Sequence, residues 1–525
     1  MRFLRSLLMS LACTAGFAAP AFGGAQAGPA LDIGDRRQVF IDGRFLRDAR
    51  DVELVMHPPC KTGERTLVAD PAREGDGIGS YVCVMWAAGG YHMWYSARGG
   101  IRYARSEDGI QWEKPNLGLA EFQGSRDNNI VLGSGANGVE KVNSEGMAFY
   151  DPTAPEAERF RYATRISDEF KHTVVFSGPD GIHWRRTHEQ VLTYTAPQKP
   201  MHLDSQNVIF WDDRIQKYVA YMRRNTKKDG VPRMRTIARS ESTTLGGFDE
   251  AQEAQVVIGH DEQDAKLGRH EVVDYYTNGT IKYPWAQEAY YMFPTAYLHY
   301  IGGGLMSEFP QRGPINDGVL HTQFAASRDG IKWHRFGRRP FVDLGMKGDF
   351  DSKGARIAYG VVPSRDGRQM YMYYWGSDHT HGWGRDEINK RLLRDADLAP
   401  NQDVNVVSRL VLRRDGFISA RAAYTGGEFT TPPLRFGGRE LVLNVDTSAT
   451  GMVRCALLDA DGHAIPGYGL DDCDLIHTTN EINRVVRWKG NAGVSSLADR
   501  PVRLRFAFRD ADVYAFQFRQ TGDES

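Results

Sequence analysis

Apolar and polar residues alternate with a period of two along much of the chain, and the apolar positions are rich in aromatic residues. Residues 370–374 read Met-Tyr-Met-Tyr-Tyr, and similar stretches begin at Tyr91, Phe160, Tyr218 and Tyr290. Side chains two residues apart lie on one face of a β-strand, so this alternation predicts strands that bury one face. No comparable stretch keeps a helical period, and the chain is therefore predicted to be all-β.

A short motif recurs between these strands. Ser-Glu-Asp-Gly-Ile-Gln-Trp ends at Trp112, and related versions end at Trp184 and Trp333. Asp-Gly favours a tight turn, and the Ile and Trp that follow share one face of the returning strand. The interval from Trp184 to Trp333 is about twice the interval from Trp112 to Trp184, which indicates a hidden copy of the motif between them. This copy is found at 236–248, and a fifth copy ends at Phe417. Long repeats of about four strands predict a five-bladed β-propeller.

The repeat stops near residue 424. Beyond it, short alternating stretches predict the antiparallel strands of a C-terminal β-sandwich. They lie at 434–436, 441–445, 453–458, 485–488, 502–506 and 514–518. The predicted organisation is a signal peptide at 1–27, a catalytic five-bladed propeller at 28–423 and a β-sandwich at 424–525.

The first residues are typical of an export signal. Arg2 and Arg5 precede an apolar stretch at 7–17, and Ala25-Gln26-Ala27 is a small-x-small cleavage site. The mature protein is therefore predicted to be secreted or periplasmic. The apolar stretch is too short to span a bilayer and no later segment is apolar enough, so no membrane association is expected after cleavage.

The charge balance argues against a nucleic-acid partner. The chain has 65 basic and 66 acidic residues, with no concentrated basic face of the kind that binds nucleic acid. Outside the signal, the cysteines are Cys60, Cys83, Cys455 and Cys473. In an exported protein they suggest disulfides, most simply Cys60 with Cys83 and Cys455 with Cys473, although four buried free thiols fit as well.

Several stretches together resemble a known group of proteins. They lie at 39–43, 124–132, 207–212, 326–330, 350–352, 457–462 and 465–467. This set is similar to the five-bladed propeller glycosidases of glycoside hydrolase families 32 and 43, in particular to secreted bacterial proteins resembling family 32 N-terminal domains. The resemblance implies glycosidase activity and a sandwich after the propeller. The invertase-type Trp-Met-Asn-Asp-Pro-Asn-Gly signature is absent, so neither the family's catalytic triad nor fructan hydrolysis is carried over.

Acidic residues just before each repeat's first strand are the catalytic candidates, because these loops surround the central funnel of a propeller. Glycoside hydrolysis needs two carboxylates with separated pKa values. The candidates are Glu74, Glu145, Asp204, Glu271, Asp274 and Asp351. Asp204 is favoured because a polar cluster at 202–207 leads into an apolar strand, although a turn aspartate that caps backbone N–H groups would look the same.

Residues that would bind the sugar are flat aromatic rings and polar side chains in the same loops. The substrate-binding candidates are Asn207, Tyr275, Tyr276, Trp285, Lys353, Arg356, Trp375, His379 and His381. Arg223 and Lys61 are weaker candidates for binding hydroxyl or carboxylate groups. His379 and His381 lack further ligands at metal-site spacing, so neither a metal site nor a cofactor is predicted. The resemblance nevertheless allows for a structural Ca²⁺ or Na⁺ ion near the propeller axis.

The sequence therefore predicts a secreted glycoside hydrolase that acts on poly- or oligosaccharides. The alternatives are a carbohydrate-binding propeller without catalysis, and a lyase or phosphorylase on the same scaffold. Two funnel carboxylates roughly 5 to 10 Å apart would favour the hydrolase. The sugar, the linkage, the stereochemical course and the oligomeric state are not predicted.

Overall fold

The computed structural model describes residues 29–75, 77–166, 172–194, 203–228, 231–251, 253–266, 273–299, 317–383, 387–395, 397–402 and 404–522. The predicted signal peptide lies outside them. The chain divides into two compact units. The smaller unit contains the described residues of Met1–Asp35, Asp42–Val55 and Ala420–Ser525, and the larger unit contains those of Arg36–Ile41 and Met56–Ser419.

The first three repeats of the larger unit each form a four-stranded antiparallel sheet with the strands in chain order. The first sheet contains Val82–Ala87, Gly90–Ala97, Gly100–Ser106 and Ile130–Leu132. The second sheet contains Met147–Tyr150, Phe160–Thr164, Val174–Gly178 and Arg185–His188. The third sheet contains Val208–Asp212, Lys217–Lys228, Val231–Ser242 and Gln255–Ile258.

Strands of the fourth repeat are split between two sheets. The fourth sheet contains Ile281–Lys282, Tyr290–Met292, Ala325–Ser327 and His334–Arg335. A composite sheet contains Val273–Tyr275, Thr295–His299, Gly318–Thr322, Gly354–Ile357, Val362–Pro363, Gln369–Ser377, Asn405–Arg413, Cys60–Lys61 and Leu67–Val68. The break falls at Pro294, which has no N–H to donate to a ladder.

The all-β ring of sheets that the repeats predict is confirmed. The predicted blade count of five is wrong: within the described residues, four four-stranded sheets are separate. The strands of the fifth repeat belong to the composite sheet, because a single parallel bridge between Leu320 and Gly354 joins them to strands of the fourth repeat.

The turns of the repeats dock on the preceding repeat around the ring. The Gly181 carbonyl of the second repeat accepts a hydrogen bond from Trp94 Nε1 of the first at 2.8 Å. The Gly330 carbonyl of the fourth repeat accepts one from Tyr221 of the third at 2.6 Å, and the Gly109 carbonyl accepts one from Tyr373 of the fifth repeat. These contacts join the first repeat to the second, the third to the fourth and the fifth to the first.

The first strands of the repeats meet at the centre of the ring. The Gln206 side-chain amide donates to the Gly146 carbonyl at 3.1 Å and contacts Cys83 Sγ at 3.2 Å. Cys83 also forms a parallel bridge with Tyr359 of the fifth repeat. The residues that directly precede these strands are therefore held close together.

Short helices and one further strand complete the larger unit. The helices are Pro71–Glu74, Glu262–Lys266 and Glu387–Asp395, with a 3-10 turn at Glu156–Glu158, and the strand is Gln38–Val39. Over the part of the chain that the structure describes, none of the helices has the length and apolar character needed to cross a bilayer.

The smaller unit is a mostly antiparallel β-structure. Its strands are Leu31–Gly34, Arg47–Arg50, Glu53–Met56, Ile418–Ala422, Gly427–Thr430, Leu434–Phe436, Glu440–Leu458, Ile476–His477, Asn480–Val485 and Arg503–Arg519, with 3-10 turns at Gly43–Phe45 and Ser495–Leu497. The residues predicted as strands at 441–445, 453–458, 502–506 and 514–518 lie almost entirely in strands, but the predicted breaks between them are wrong. They form two long strands that pair along their length, with register shifts between Asn444 and Val445 and between Thr447 and Met452.

The four described cysteines are free thiols. The predicted pairing of Cys60 with Cys83 is wrong, because Cys60 is exposed in the composite sheet opposite Val411 while Cys83 is buried at the centre of the ring. Cys455 and Cys473 are neighbours, since the Cys455 N–H lies 3.3 Å from Cys473 Sγ. Burial raises the pKa of both thiols.

Gln206 offers a test of the packing at the centre of the ring. Gln206→Ala should lower the free energy of unfolding of the propeller by about 1–3 kcal/mol, because the buried Gly146 carbonyl loses its amide donor. A denaturant titration followed by tryptophan fluorescence measures this loss. The exposed Gln111→Ala is the control, with an expected change within about 0.5 kcal/mol. Equal stability of the two variants would show that Gln206 does not hold the inner strands together.

Candidate active site

Side chains from five separate segments converge where the inner strands begin. They are Tyr81, Glu145, Asp204, Tyr276 and Arg356. Tyr81 and Tyr276 pack in one buried cluster, and the Arg356 guanidinium lies 5.2 Å from the Tyr81 ring and 4.9 Å from the Tyr276 ring. Glu145 and Asp204 interact electrostatically, and each also acts on one of the two tyrosines. This convergence defines the candidate active site.

Glu145 lies on the loop before strand Met147–Tyr150. One carboxylate oxygen accepts a hydrogen bond from the buried Arg165 guanidinium at 2.5 Å. The other oxygen is buried and has no hydrogen-bond partner. Burial raises the pKa of Glu145, and the negative charge of Asp204 adds to this effect while Arg165 opposes it. Glu145 therefore has the environment of a carboxyl group that can hold a proton.

Asp204 projects from a tight turn before strand Val208–Asp212. The Asn207 side-chain amide donates to the Leu203 carbonyl at 3.2 Å and to the Ser205 carbonyl at 2.9 Å. The Asn207 side-chain oxygen accepts the Arg223 backbone N–H. Asn207, a predicted substrate-binding residue, thus has its amide engaged in holding the turn. The Asp204 carboxylate is 26% exposed and lies 3.6 Å from the Arg223 guanidinium, so it is more accessible than Glu145 and has a cationic neighbour.

Three guanidinium groups surround the ring of Tyr276. Those of Arg223, Arg356 and Arg235 lie 4.3, 4.9 and 5.3 Å from its centroid. Burial alone would raise the pKa of Tyr276, but the positive charges of Arg223 and Arg356 outweigh it and lower the pKa. The ring is thus a buried aromatic surface in an electropositive environment.

Two predicted aromatic or imidazole side chains border the same site. Trp375 lies opposite Arg356 in the composite sheet, and its indole N–H donates to the Ile78 carbonyl at 3.0 Å, which fixes its ring. The His381 ring packs edge-on against Tyr276 at 5.0 Å. Of the predicted residues, the structure therefore brings together Glu145, Asp204, Tyr276, Arg356, Trp375 and His381.

Glu74 has a structural environment instead. It is fully buried in the first repeat, where it accepts the Asp70 backbone N–H at 2.7 Å and hydrogen bonds from Tyr95 and Lys114. Asp70 in turn caps the short helix Pro71–Glu74. Because its carboxylate is fully engaged by these donors, Glu74 is not available as an acid or base for a ligand.

Asp351 and Lys353 are also engaged in local contacts. Asp351 accepts hydrogen bonds from Lys61 at 2.7 Å and from Tyr374 at 2.8 Å. Lys353 donates to the Asp378 carbonyl at 2.8 Å. None of the contacts described for these side chains involves Glu145 or Asp204, so they hold the loops of the fifth repeat.

Asp274 lies beside the site but is locked in an ion pair. Its carboxylate accepts the Arg235 guanidinium at 2.5 Å, the Arg235 backbone N–H at 2.9 Å and His299 at 3.0 Å. Burial would raise the pKa of Asp274, but the hydrogen bond from His299 and the charge of Arg235 lower it. Asp274 therefore orients Arg235 beside Tyr276 and is a poor proton donor.

The remaining candidates lie elsewhere. Tyr275 is buried and donates to Asp264 at 2.9 Å. Trp285 follows strand Ile281–Lys282 and packs against Tyr283 and Arg414. His379 lies beside Asp378, its Nε2 3.6 Å from that carboxylate. Glu271 lies outside the described residues.

Sequence reasoning missed Tyr81, Arg165 and Arg235. Tyr81 directly precedes the inner strand Val82–Ala87, a position that corresponds to the candidates of the other repeats, so this signal was available. Arg165 and Arg235 follow or lie within second and third strands, where an arginine in the sequence looks the same as a surface charge.

A cavity of about 450 Å³ adjoins the loop of Glu145. Ser144, directly before Glu145, and Ile166, directly after Arg165, contribute to its wall. The buried Ser96 hydroxyl also lines it and has no hydrogen-bond partner. The cavity therefore offers polar groups next to the candidate acid. No set of three or more potential metal ligands is grouped together in the described parts of the chain.

No family model and no curated protein matches the sequence. Solved structures with a similar fold include a thermostable family-43 glycoside hydrolase, which is 13% identical with a TM-score of 0.41 and coverage of 66% of this chain and 93% of that chain. A GH130-family protein described for β-1,2 mannosidic linkages is 12% identical, with a TM-score of 0.41 and coverage of 72% and 96%. An N-acetylgalactosamine deacetylase from F. plautii is 12% identical, with a TM-score of 0.44 and coverage of 69% and 96%.

Asp274→Asn tests whether the ion pair between Asp274 and Arg235 stabilises the fold. At neutral pH the variant should lose about 3–5 kcal/mol of stability, because Arg235 keeps a buried charge without its partner. Because the folded-state pKa of Asp274 lies below the ordinary value of 3.8, its stabilisation is present above that pH and is lost as the pH falls through the lowered value.

Denaturant titrations at neutral and acidic pH check this. The stability gap between wild type and variant should shrink on acidification, whereas the exposed Asp127→Asn should show a small effect at either pH. A gap that grows as the pH falls would contradict the assignment.

Proposed function

We propose that the protein is a secreted glycoside hydrolase that cleaves poly- or oligosaccharides, with Glu145 as the general acid and Asp204 as the general base or nucleophile. The observation that supports this proposal is a pair of carboxylates, Glu145 and Asp204, that lie at one site in different environments. Glu145 is buried, has one unpartnered oxygen and a raised pKa, while Asp204 is partly exposed beside Arg223. Such a difference assigns the acid and base roles in a glycosidase.

The reaction follows from these positions. Protonated Glu145 donates its proton to the leaving glycosidic oxygen as the bond from that oxygen to the anomeric carbon breaks. With Asp204 as a base, water attacks the anomeric carbon and Asp204 takes the water's proton. With Asp204 as the nucleophile, a glycosyl ester forms first, and water deprotonated by Glu145 then hydrolyses it. Both courses consume one water and yield a hemiacetal and an alcohol.

The aromatic side chains support sugar binding. The Trp375 indole is fixed by its bond to Ile78, and the buried rings of Tyr81 and Tyr276 pack together. Rigid rings that lie beside acidic groups are suited to stacking on the apolar faces of pyranose or furanose rings. The cavity beside Glu145 has room for a further sugar unit of a longer chain. An export signal fits a polysaccharide substrate found outside the cytoplasm.

One observation favours the second candidate, a carbohydrate-binding propeller without catalysis. The ion pair of Glu145 with Arg165 at 2.5 Å stabilises the ionised carboxylate, whereas a general acid must be protonated. The two candidates differ in turnover and not in binding, so kinetic measurements separate them.

Glu145→Gln and Asp204→Asn should each lower kcat by about 10²–10⁴-fold, because the first removes the proton donor and the second removes the base or nucleophile. The measurement is hydrolysis of a panel of para-nitrophenyl glycosides and polysaccharides by purified mature protein. Glu145→Gln should lose less activity on substrates with acidic leaving groups, which need little protonation. The anomeric configuration of the first product, followed by NMR, distinguishes the two roles of Asp204.

The matched controls are Glu121→Gln and Asp127→Asn, which change exposed carboxylates of the first repeat. They should retain wild-type kcat. Full turnover by both site variants would remove Glu145 and Asp204 from the mechanism. Binding of a glycan without turnover by wild type would favour the non-catalytic candidate.

A further inference from the structure

Arg356 carries a buried charge at the centre of the candidate site. It lies in strand Gly354–Ile357 and is 4% exposed. Its guanidinium donates one hydrogen bond, to the Ser80 hydroxyl of the first repeat. It also lies 5.2, 4.9 and 5.4 Å from the ring centroids of Tyr81, Tyr276 and Trp375.

No carboxylate of the described residues forms an ion pair with this guanidinium, and its Nε is buried without an acceptor. A buried charge that lacks a partner is costly. The faces of three aromatic rings recover part of that cost. The guanidinium therefore keeps hydrogen-bonding capacity beyond its bond to Ser80, and it lies among Tyr81, Tyr276 and Trp375.

Each of the other arginines at the site has a carboxylate partner. Arg165 pairs with Glu145 at 2.5 Å, Arg235 with Asp274 at 2.5 Å, and Arg223 with Asp204 at 3.6 Å. Arg356 is therefore in excess over the carboxylates described around Tyr276. When Glu145 is protonated for catalysis, the positive excess grows by one further charge.

From this juxtaposition we propose that Arg356, with Ser80 beside it, binds a negatively charged substituent of the sugar substrate, either a uronate carboxylate or a sulfate ester. The inference rests on the proposed function, because it assigns the substrate class of the same site. The planar guanidinium fork matches the paired oxygens of both groups. The aromatic rings contact the sugar face while Arg356 binds its charged substituent.

The test measures binding by the Glu145→Gln variant, in which ligand is not consumed. Its ligands are polysaccharides in three groups: polygalacturonate and alginate with carboxylates, chondroitin sulfate and carrageenan with sulfate esters, and xylan and mannan with no charge. Affinity electrophoresis should show binding of at least one acidic group, weakened by salt. Arg356→Gln in the same background should weaken that binding by at least about tenfold, and Arg356→Lys should recover part of it.

The exposed Arg365→Gln is the matched control and should bind as the parent does. Circular dichroism and the thermal unfolding midpoint confirm that each variant is folded. Loss of binding to uronates alone identifies a carboxylate ligand, and loss for sulfated glycans alone identifies a sulfate ligand. Preference for neutral glycans, equal binding by Arg356→Gln, or no binding of any acidic glycan overturns the inference.

Failure of the inference and failure of the proposed function give different results. If Glu145→Gln and Asp204→Asn are inactive but only neutral glycans bind, the hydrolase proposal stands and the anion site does not. If acidic glycans need Arg356 but are cleaved with formation of an unsaturated product, the anion site stands and the protein is a lyase.

Discussion

The docking of three glycine turns, at Gly109, Gly181 and Gly330, on aromatic side chains of the preceding repeat is the contact on which the ring depends. A Cβ atom at Gly181 would lie 2.5 Å from the Trp94 ring, and one at Gly330 would lie 2.6 Å from the Tyr221 hydroxyl. Both glycines also have positive φ angles, of 78° and 72°. Only glycine allows this approach at low cost. The spacing of neighbouring sheets, and through it the distance between site residues, depends on these few turns.

The site brings together charged side chains from several repeats. Four guanidinium groups and three carboxylates lie around two tyrosines. Each ion pair fixes one side chain that touches or borders the place where a sugar would bind. Arg356 differs from the other three arginines because each of those pairs with a carboxylate, whereas Arg356 pairs with none among the described residues. Buried polar groups without partners are uncommon in structural ion pairs, and this is why the cluster is a candidate site.

The Asp-Gly motif and the aromatic alternation were sufficient to predict the ring of sheets, because both encode local strand and turn geometry. They could not predict how the sheets divide, which depends on Pro294 and on the long-range bridge of Leu320 with Gly354. The rule that acidic residues just before an inner strand are catalytic candidates identified Glu145 and Asp204. The same rule also selected Glu74, because the sequence does not distinguish an acidic residue that faces the central funnel from a buried one that is held by hydrogen bonds. Arg165 and Arg235 were missed, since a sequence pattern does not show which arginines pair with a buried carboxylate.

Segments distant in the sequence close the ring. The strands Cys60–Lys61 and Leu67–Val68 pair with Asn405–Arg413, so the composite sheet is incomplete until nearly the whole propeller has been synthesised. Such pairing has high contact order and forms slowly. The nascent chain therefore cannot assemble the candidate active site early. Late closure is compatible with transport of an unfolded polypeptide. It also delays any activity until Cys60–Lys61 and Leu67–Val68 have paired with Asn405–Arg413.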